Sequence, residues 1–243
     1  MFKELFFFKI RFINIKSSNL KSLIKKRGLF LFPSGPGLAN LKINSPYHKA
    51  LVKANHVFFD SGYFVILLRV LKKIKADKFS GYKFLKFFFK YLKQNRRKNI
   101  FVVDPSINSM KLNKSYFNNK INIKSTHFVS PIYKRKNIKD KKLLKQIRLL
   151  RPEIILINLG SGVQEILGDY LMSNLKYNPS IICTGAAISF FTKEQAPIND
   201  FFDKIYLGWL IRIFYNPKIF FLRYLNAIKL YRLVKNNKVF VKN

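Results

Sequence analysis

Residues 151–165 read RPEIILINLGSGVQE. Ile154, Ile155, Leu156 and Ile157 form an unbroken apolar run, which a parallel strand needs when both its faces are covered. Gly160 and Gly162 follow at once and let the backbone turn tightly with its N–H groups bared. Glu165 to Leu175 has helical spacing, so those N–H groups stand at a helix N-terminus, where an anion is favoured. Strand, glycine turn and helix in this order predict an α/β unit that delivers a ligand to its turn. A plain strand–helix turn with no ligand fits the same residues. A dinucleotide site fits poorly. Its fingerprint wants a third glycine where Glu165 stands and an acidic residue ending the next strand, whereas Ser180 to Thr184 ends in Thr184-Gly185.

Outward from this unit, strands and helices alternate. Leu29 to Phe32 is a short strand stopped by Pro33-Ser34-Gly35-Pro36-Gly37. Tyr47 to Lys53 can form a helix after Ser45-Pro46. Val57 to Phe59 is a second strand, ending in Asp60-Ser61-Gly62, and Tyr63 to Lys73 an apolar helix. Ser80-Gly81 breaks the chain before an aromatic helix from Tyr82 to Gln94. Asn99 to Val103 and Asn122 to Val129 read as further strands, with a weakly patterned Asn- and Lys-rich stretch, Asn108 to Asn122, between them. Lys139 to Leu150 is a basic amphipathic helix leading back into Ile154. The alternation predicts an α/β fold, a Rossmann-like, mostly parallel sheet with helices on both faces.

The chain has 243 residues and a formal charge of +36, from 47 Lys and Arg against 11 Asp and Glu. Such a balance implies an anionic partner: nucleic acid, a membrane surface or phosphorylated substrates. A hydrophobic share of 49% argues against a disordered basic tail. Codon bias toward Lys, Asn, Ile and Phe accounts for part of the charge on one reading. Cys183 alone excludes an internal disulfide framework and reads as a small core residue. His48, His56 and His127 are scattered, so no metal site is expected. The N-terminus, MFKELFFFKIRF, is interrupted by Lys3, Glu4, Lys9 and Arg11 and makes a poor signal peptide. With no long apolar run for a spanning helix, a cytoplasmic protein lying on a membrane is expected.

The C-terminal segment differs in character. From Asp203 to Lys235 it lacks strand alternation. Helical spacing puts Phe220, Tyr224, Ala227, Tyr231 and Val234 on one stripe, with Lys218, Lys229 and Arg232 roughly opposite. That distribution suits a membrane interface or a helix packed on its own domain with a solvated basic face. We therefore divide the chain into an α/β domain over residues 1–200 and a basic aromatic helical appendage over 201–243.

Six motifs in series resemble one family. Gly160-Ser161-Gly162-Val163-Gln164-Glu165 is similar to the G-x-P-K-Q-E loop of the WecG/TagA/CpsF glycosyltransferases, glycosyltransferase family 26. Phe59-Asp60-Ser61-Gly62 resembles their early Asp-Gly motif, and Phe79-Ser80-Gly81 their Val-(Thr/Ser)-Gly step. Cys183-Thr184-Gly185-Ala186-Ala187 resembles their glycine-rich strand end, and Ala196-Pro197 the end of their Arg-Ala-Pro. Leu207 to Arg212, Pro217 and Arg223-Tyr224 resemble their L-E-W-L-x-R…P…R-Y tail. The chain departs from the pattern at Gly162 and Val163, in place of Pro and Lys. Ser189 stands where many members have Asp, and Gly208 where many have Glu.

The resemblance implies inverting, metal-independent transfer of a sugar of the N-acetylmannosamine type. The donor would be a UDP-sugar and the acceptor a polyprenyl-diphosphate-linked saccharide, at the inner face of the cell membrane. The products would feed teichoic acid, common antigen, capsule or exopolysaccharide. Asp60 is the expected base; capping of the following helix is the plainer role for it. Gly160, Ser161, Gly162, Gln164, Glu165, Thr184 and Gly185 are expected to hold the donor nucleotide, with Asn158 beside them. Arg212 and Arg223 are expected to meet the diphosphate and acceptor. The chain has no D-x-D motif, and no cofactor is expected. An anionic membrane surface is an expected partner, nucleic acid is not, and homo-oligomerisation is left open. A basic nucleic-acid-binding protein of ribosomal type and an inactive family member are the alternatives.

Overall fold

The computed structural model describes residues 3–15, 19–95, 99–194 and 225–242. Nine strands form one sheet in the order β6-β5-β7-β8-β3-β4-β2-β1-β9. The strands are β1 (Lys3–Phe7), β2 (Ile10–Asn14), β3 (Gly28–Leu31), β4 (His56–Phe58), β5 (Ile100–Asp104), β6 (Ser125–Val129), β7 (Ile154–Ile157), β8 (Ser180–Cys183) and β9 (Val239–Lys242). From β6 to β2 every neighbouring pair is parallel, while β1 is antiparallel to both β2 and β9. The helices are α1 (Leu20–Ile24), α2 (Gly35–Ala39), α3 (Pro46–Lys53), α4 (Gly62–Lys72), α5 (Gly81–Gln94), α6 (Ile107–Tyr116), α7 (Lys141–Leu150), α8 (Val163–Asn174) and α9 (Lys229–Asn236). The expected α/β architecture, with helices on both faces of a mostly parallel sheet and a C-terminal helix beyond it, is what the chain adopts.

The continuous apolar strands have the predicted cause. Leu29 and Leu31 of β3, Phe101 and Val103 of β5, and Ile155 and Ile157 of β7 enter one core with α4, α7 and α8. The alternate residues Phe30, Ile100, Val102, Ile154 and Leu156 enter a second core with α1, α5 and the residues after α6. A period of two thus feeds both layers, and the central strands β7, β8, β3 and β4 are apolar on both faces apart from His56 and Ser180 at the starts of β4 and β8.

The sequence reading left out α1, α2 and β9, the hairpin of β1 and β2, and α6. β1 and β2 form a hairpin whose turn residues, Phe8 and Lys9, both have positive φ (51° and 62°), as a two-residue turn of this twist requires. Neither is the glycine or asparagine that signals such a turn. α6 presents only Ser109 and Asn113 to the interior, continued by Phe117 and Ile121 of a single wide turn, so apolar periodicity is nearly absent.

α9 packs against α2 and α4. Of the expected C-terminal stripe, Phe220 and Tyr224 lie outside the described residues. Ala227 and Val234 are buried together with Leu230, while Tyr231 is exposed. No helix among the described residues is long and apolar enough to cross a membrane.

The chain runs from β3 outward to β4, then crosses back to β5 and returns through β7 to β8, beside β3. The loops after β3, β4, β7 and β8 therefore meet where the winding reverses, the place at which open α/β sheets bind ligands.

Candidate active site

The first wall comes from the turns after β3 and β4. Ser34 caps α2 by accepting from Gly37 N–H at 3.3 Å, and Ser61 caps α4 by accepting from Phe64 N–H at 3.2 Å. The two turns touch: a Cβ on Gly35 would lie 2.8 Å from Ser61 Oγ. Because Ser61 takes the capping role, the half-buried Asp60 does not. Its Oδ1 accepts from Gly81 N–H, the first residue of α5, at 2.9 Å. This bond orients the carboxylate and joins two of the sequence motifs through space.

The second wall is the loop of residues 158–162. Gly162 has φ +88° and caps α8, a geometry that disfavours any side chain there. Glu165 Oε2 accepts from Gly162 N–H at 2.7 Å, and Gln164 Nε2 donates to Glu165 Oε1 at 3.3 Å. The carboxyl is fully buried, and burial pushes its pKa up from 4.5 to about 7. Gln164 Oε1 accepts from Gly185 N–H at 2.7 Å. Both side chains thus face protein partners and hold the loop to the end of β8. Gly160 meets open space: a Cβ there would have nothing within 4 Å. Gly37 is the opposite case, for a Cβ would lie 2.5 Å from Ser161 Oγ and 2.8 Å from Tyr47 Oη. Tyr47 faces Ser161, although the two do not close a hydrogen bond of full geometry. Burial pushes the Tyr47 hydroxyl well above its ordinary range, against the lowering effect of the Ser161 hydroxyl, so it stays protonated.

Thr184 and Gly185 close the chain of contacts, since a Cβ on Gly81 would lie 3.1 Å from Thr184 Cβ. Asp60, Gly81, Thr184, Gly185, Gln164, Glu165 and Gly162 therefore form one continuous line along the strand ends. Cys183 is buried just below it, with its thiol pushed well up by burial, as befits a core residue. Arg212 and Arg223 lie outside the described residues.

Several buried polar atoms here have no hydrogen-bond partner among the described residues: both amide atoms of Asn158, Ser161 Oγ and Thr184 Oγ1. Such groups are rare unless a ligand or water completes them. Asn158 lines a cavity of ≈ 300 Å³ with Asn113, Ser109, Ser189 and Glu194. Asn113 Oδ1 is also unpartnered, because its Nδ2 is fixed at 2.6 Å on the buried Asp104. Asp104 in turn meets His127 Nδ1 at 2.7 Å, and His127 Nε2 meets Ser125 Oγ at 2.8 Å. Glu194 accepts from Ser109 Oγ at 2.7 Å and from Ser189 Oγ at 3.2 Å.

Sequence reasoning missed Asn113, Ser109 and Glu194 because the helix that carries the first two has no apolar pattern. It also missed Arg135. A Cβ on Gly162 would lie 3.4 Å from Arg135 Cδ and Nε, so this side chain covers the glycine loop. Its charge reaches both Glu165 and Tyr47. The local signal was a run of cations, Lys134-Arg135-Lys136, which reads as solvated surface. Among the described residues no three His, Cys, Asp or Glu side chains gather as a metal site.

This geometry places a carboxylate at the strand ends, an open backbone position at Gly160, a cation over the glycine turn and a polar cavity next door. Among curated proteins no sequence matches the chain. The model describing the glycosyl transferase WecG/TagA/CpsF family matches residues 7–242, nearly the whole length and all the loops that meet at this edge. The chain thus belongs to the WecG/TagA/CpsF glycosyltransferase family and is a glycosyltransferase of cell-surface polysaccharide biosynthesis.

Proposed function

We propose that the chain moves an N-acetylmannosamine-type sugar from a UDP donor to a polyprenyl-diphosphate-linked saccharide, with inversion and without a metal, at the cytoplasmic face of the membrane. One observation carries this reading: Asp60 and the unpartnered polar atoms of Asn158, Ser161 and Thr184 share one end of the sheet with the open backbone at Gly160. Asp60 accepts the proton of the acceptor hydroxyl as its oxygen attacks the anomeric carbon. The bond from that carbon to UDP breaks, and the diphosphate leaves with the electron pair. The growing charge is met by the loop N–H groups and Arg135, with Arg212 and Arg223 as further cations. The Asn158 amide places a donor beside an acceptor, which suits a uracil imide or an acetamido group. Glu194 brings a carboxylate to the cavity wall where Ser189 replaces the Asp of many members.

Calorimetric titration with UDP and UDP-N-acetylmannosamine tests the reading. The wild-type protein should bind UDP, and Asn158→Ala and Arg212→Ala should weaken binding. Asp60→Asn should keep donor binding and lower turnover by ~10²–10⁴-fold, the usual contribution of a positioned base. Absence of UDP binding with lipid present would overturn the assignment.

A further inference from the structure

We propose that the loop after β6 and the start of α7, residues 130–142, dock the protein on an anionic lipid bilayer beside the active site; the proposal rests on the transferase reading above. Ile132 has 102% relative exposure, so this apolar side chain stands wholly clear of the protein. Around it Lys134, Arg135, Lys136, Lys139, Lys141 and Lys142 are all exposed. The single acid of the stretch, Asp140, is already engaged. It caps α7 through Leu143 N–H at 2.8 Å and accepts from Tyr133 Oη at 2.6 Å. None of the six cations forms an ion pair with a described residue. Between the loop and the first turn of α7 lies a groove of ≈ 670 Å³, with Phe128 and Tyr133 among its walls and Lys139, Lys141 and Lys142 among its cations.

An apolar tip ringed by exposed cations outside any ion pair matches a surface of lipid phosphates over acyl chains. A nucleic acid would satisfy the cations but offers nothing to a solitary aliphatic tip. The competing apolar face, on α9, is covered by α2 and α4. Arg135 ties the loop to function, since the same loop that carries Ile132 also covers Gly162. A bilayer bound there would present a lipid-linked acceptor at the edge of the cleft.

The test is co-sedimentation of the full chain with phosphatidylcholine vesicles, with and without phosphatidylglycerol. Each Lys near an anionic surface contributes roughly fivefold to binding. The triple variant Lys134→Gln, Lys136→Gln, Lys142→Gln should therefore lose about a hundredfold on phosphatidylglycerol vesicles. A control with the same net charge, Lys111→Gln, Lys114→Gln, Lys120→Gln, removes exposed cations of α6 and the turn after it. It should lose only a few-fold. Ile132→Ser should lose the part of the binding that survives raised salt. Equal losses in the two triple variants would overturn the proposal, as would a loop variant impaired on RNA oligonucleotides but not on vesicles. UDP titration of the same variants separates the two readings. Retained UDP binding with loop-independent lipid binding sinks the docking loop alone, whereas absent UDP binding sinks the transferase site.

Discussion

Glycines at this site are required for different reasons, and substitution distinguishes them. Gly37 is pinned by close approach. A methyl group there meets Ser161 Oγ and Tyr47 Oη at 2.5 and 2.8 Å, so Gly37→Ala should destabilise the fold by ~1–3 kcal/mol, the usual cost of overpacking. Gly160 meets nothing within 4 Å. Gly160→Ala should leave the melting temperature almost unchanged while weakening UDP binding, because the methyl group occupies the ligand's approach. Thermal scans with and without UDP check both. A Gly160→Ala protein that melts early but binds UDP normally would show that the glycine serves the turn alone. Asp60 repays the same attention. Its sequence context suited a helix cap, and only the neighbouring Ser61 reveals that the cap is already supplied.

At the scale of elements, the decisive unit is α8 with the loop before it. Glu165 folds back on Gly162 N–H and so fixes the turn from which the helix starts. Its folded pKa, pushed by burial from 4.5 to about 7, exceeds that of the unfolded chain. Between those values the unfolded state releases a proton that the folded state keeps. The contribution of Glu165 to stability therefore falls as pH rises from the ordinary carboxylate range to about 7. Glu165→Gln keeps an acceptor for Gly162 N–H and cannot ionise. Chemical denaturation across that range should show the variant gaining on the wild type as pH rises, levelling off above about 7. A constant difference would mean that Glu165 is ionised throughout. α6 makes the complementary point: its inward residues, Ser109 and Asn113, are polar because they hold Glu194 and Asp104 at the cavity.

For the molecule as a whole, the charge of +36 is the dominant fact. With 47 Lys and Arg against 11 Asp and Glu, ion pairs such as Arg11–Glu4, Arg27–Glu153 and Lys53–Asp169 can neutralise only a minority of the cations. Like-charge repulsion is thus largely uncompensated, and it acts against the compact state. The melting temperature should rise with sodium chloride from low to physiological ionic strength as the repulsion is screened. A fall or a flat response would show that the cations are spaced widely enough to ignore one another. On the docking proposal the same excess should favour the fold on an anionic surface, so vesicles and salt should stabilise by related routes.

The sequence by itself determined the class of fold and the position of the glycine turn. Ile154 to Ile157 and the turn after them are local patterns, and a period of two or an unbroken apolar run encodes burial directly. The family motifs were legible for the same reason: each is a short string. The hairpin of β1 and β2 was not, because Phe8 and Lys9 adopt positive φ without a residue type that signals it. The helix α6 escaped because its inward face is polar. Which side chains meet was decided only in three dimensions. Asp60 reaches Gly81, Gln164 reaches Gly185 and Arg135 covers Gly162 because the winding of the sheet reverses beside β3 and brings distant loops to one edge. Contacts of that kind depend on strand order, which no local window of sequence contains.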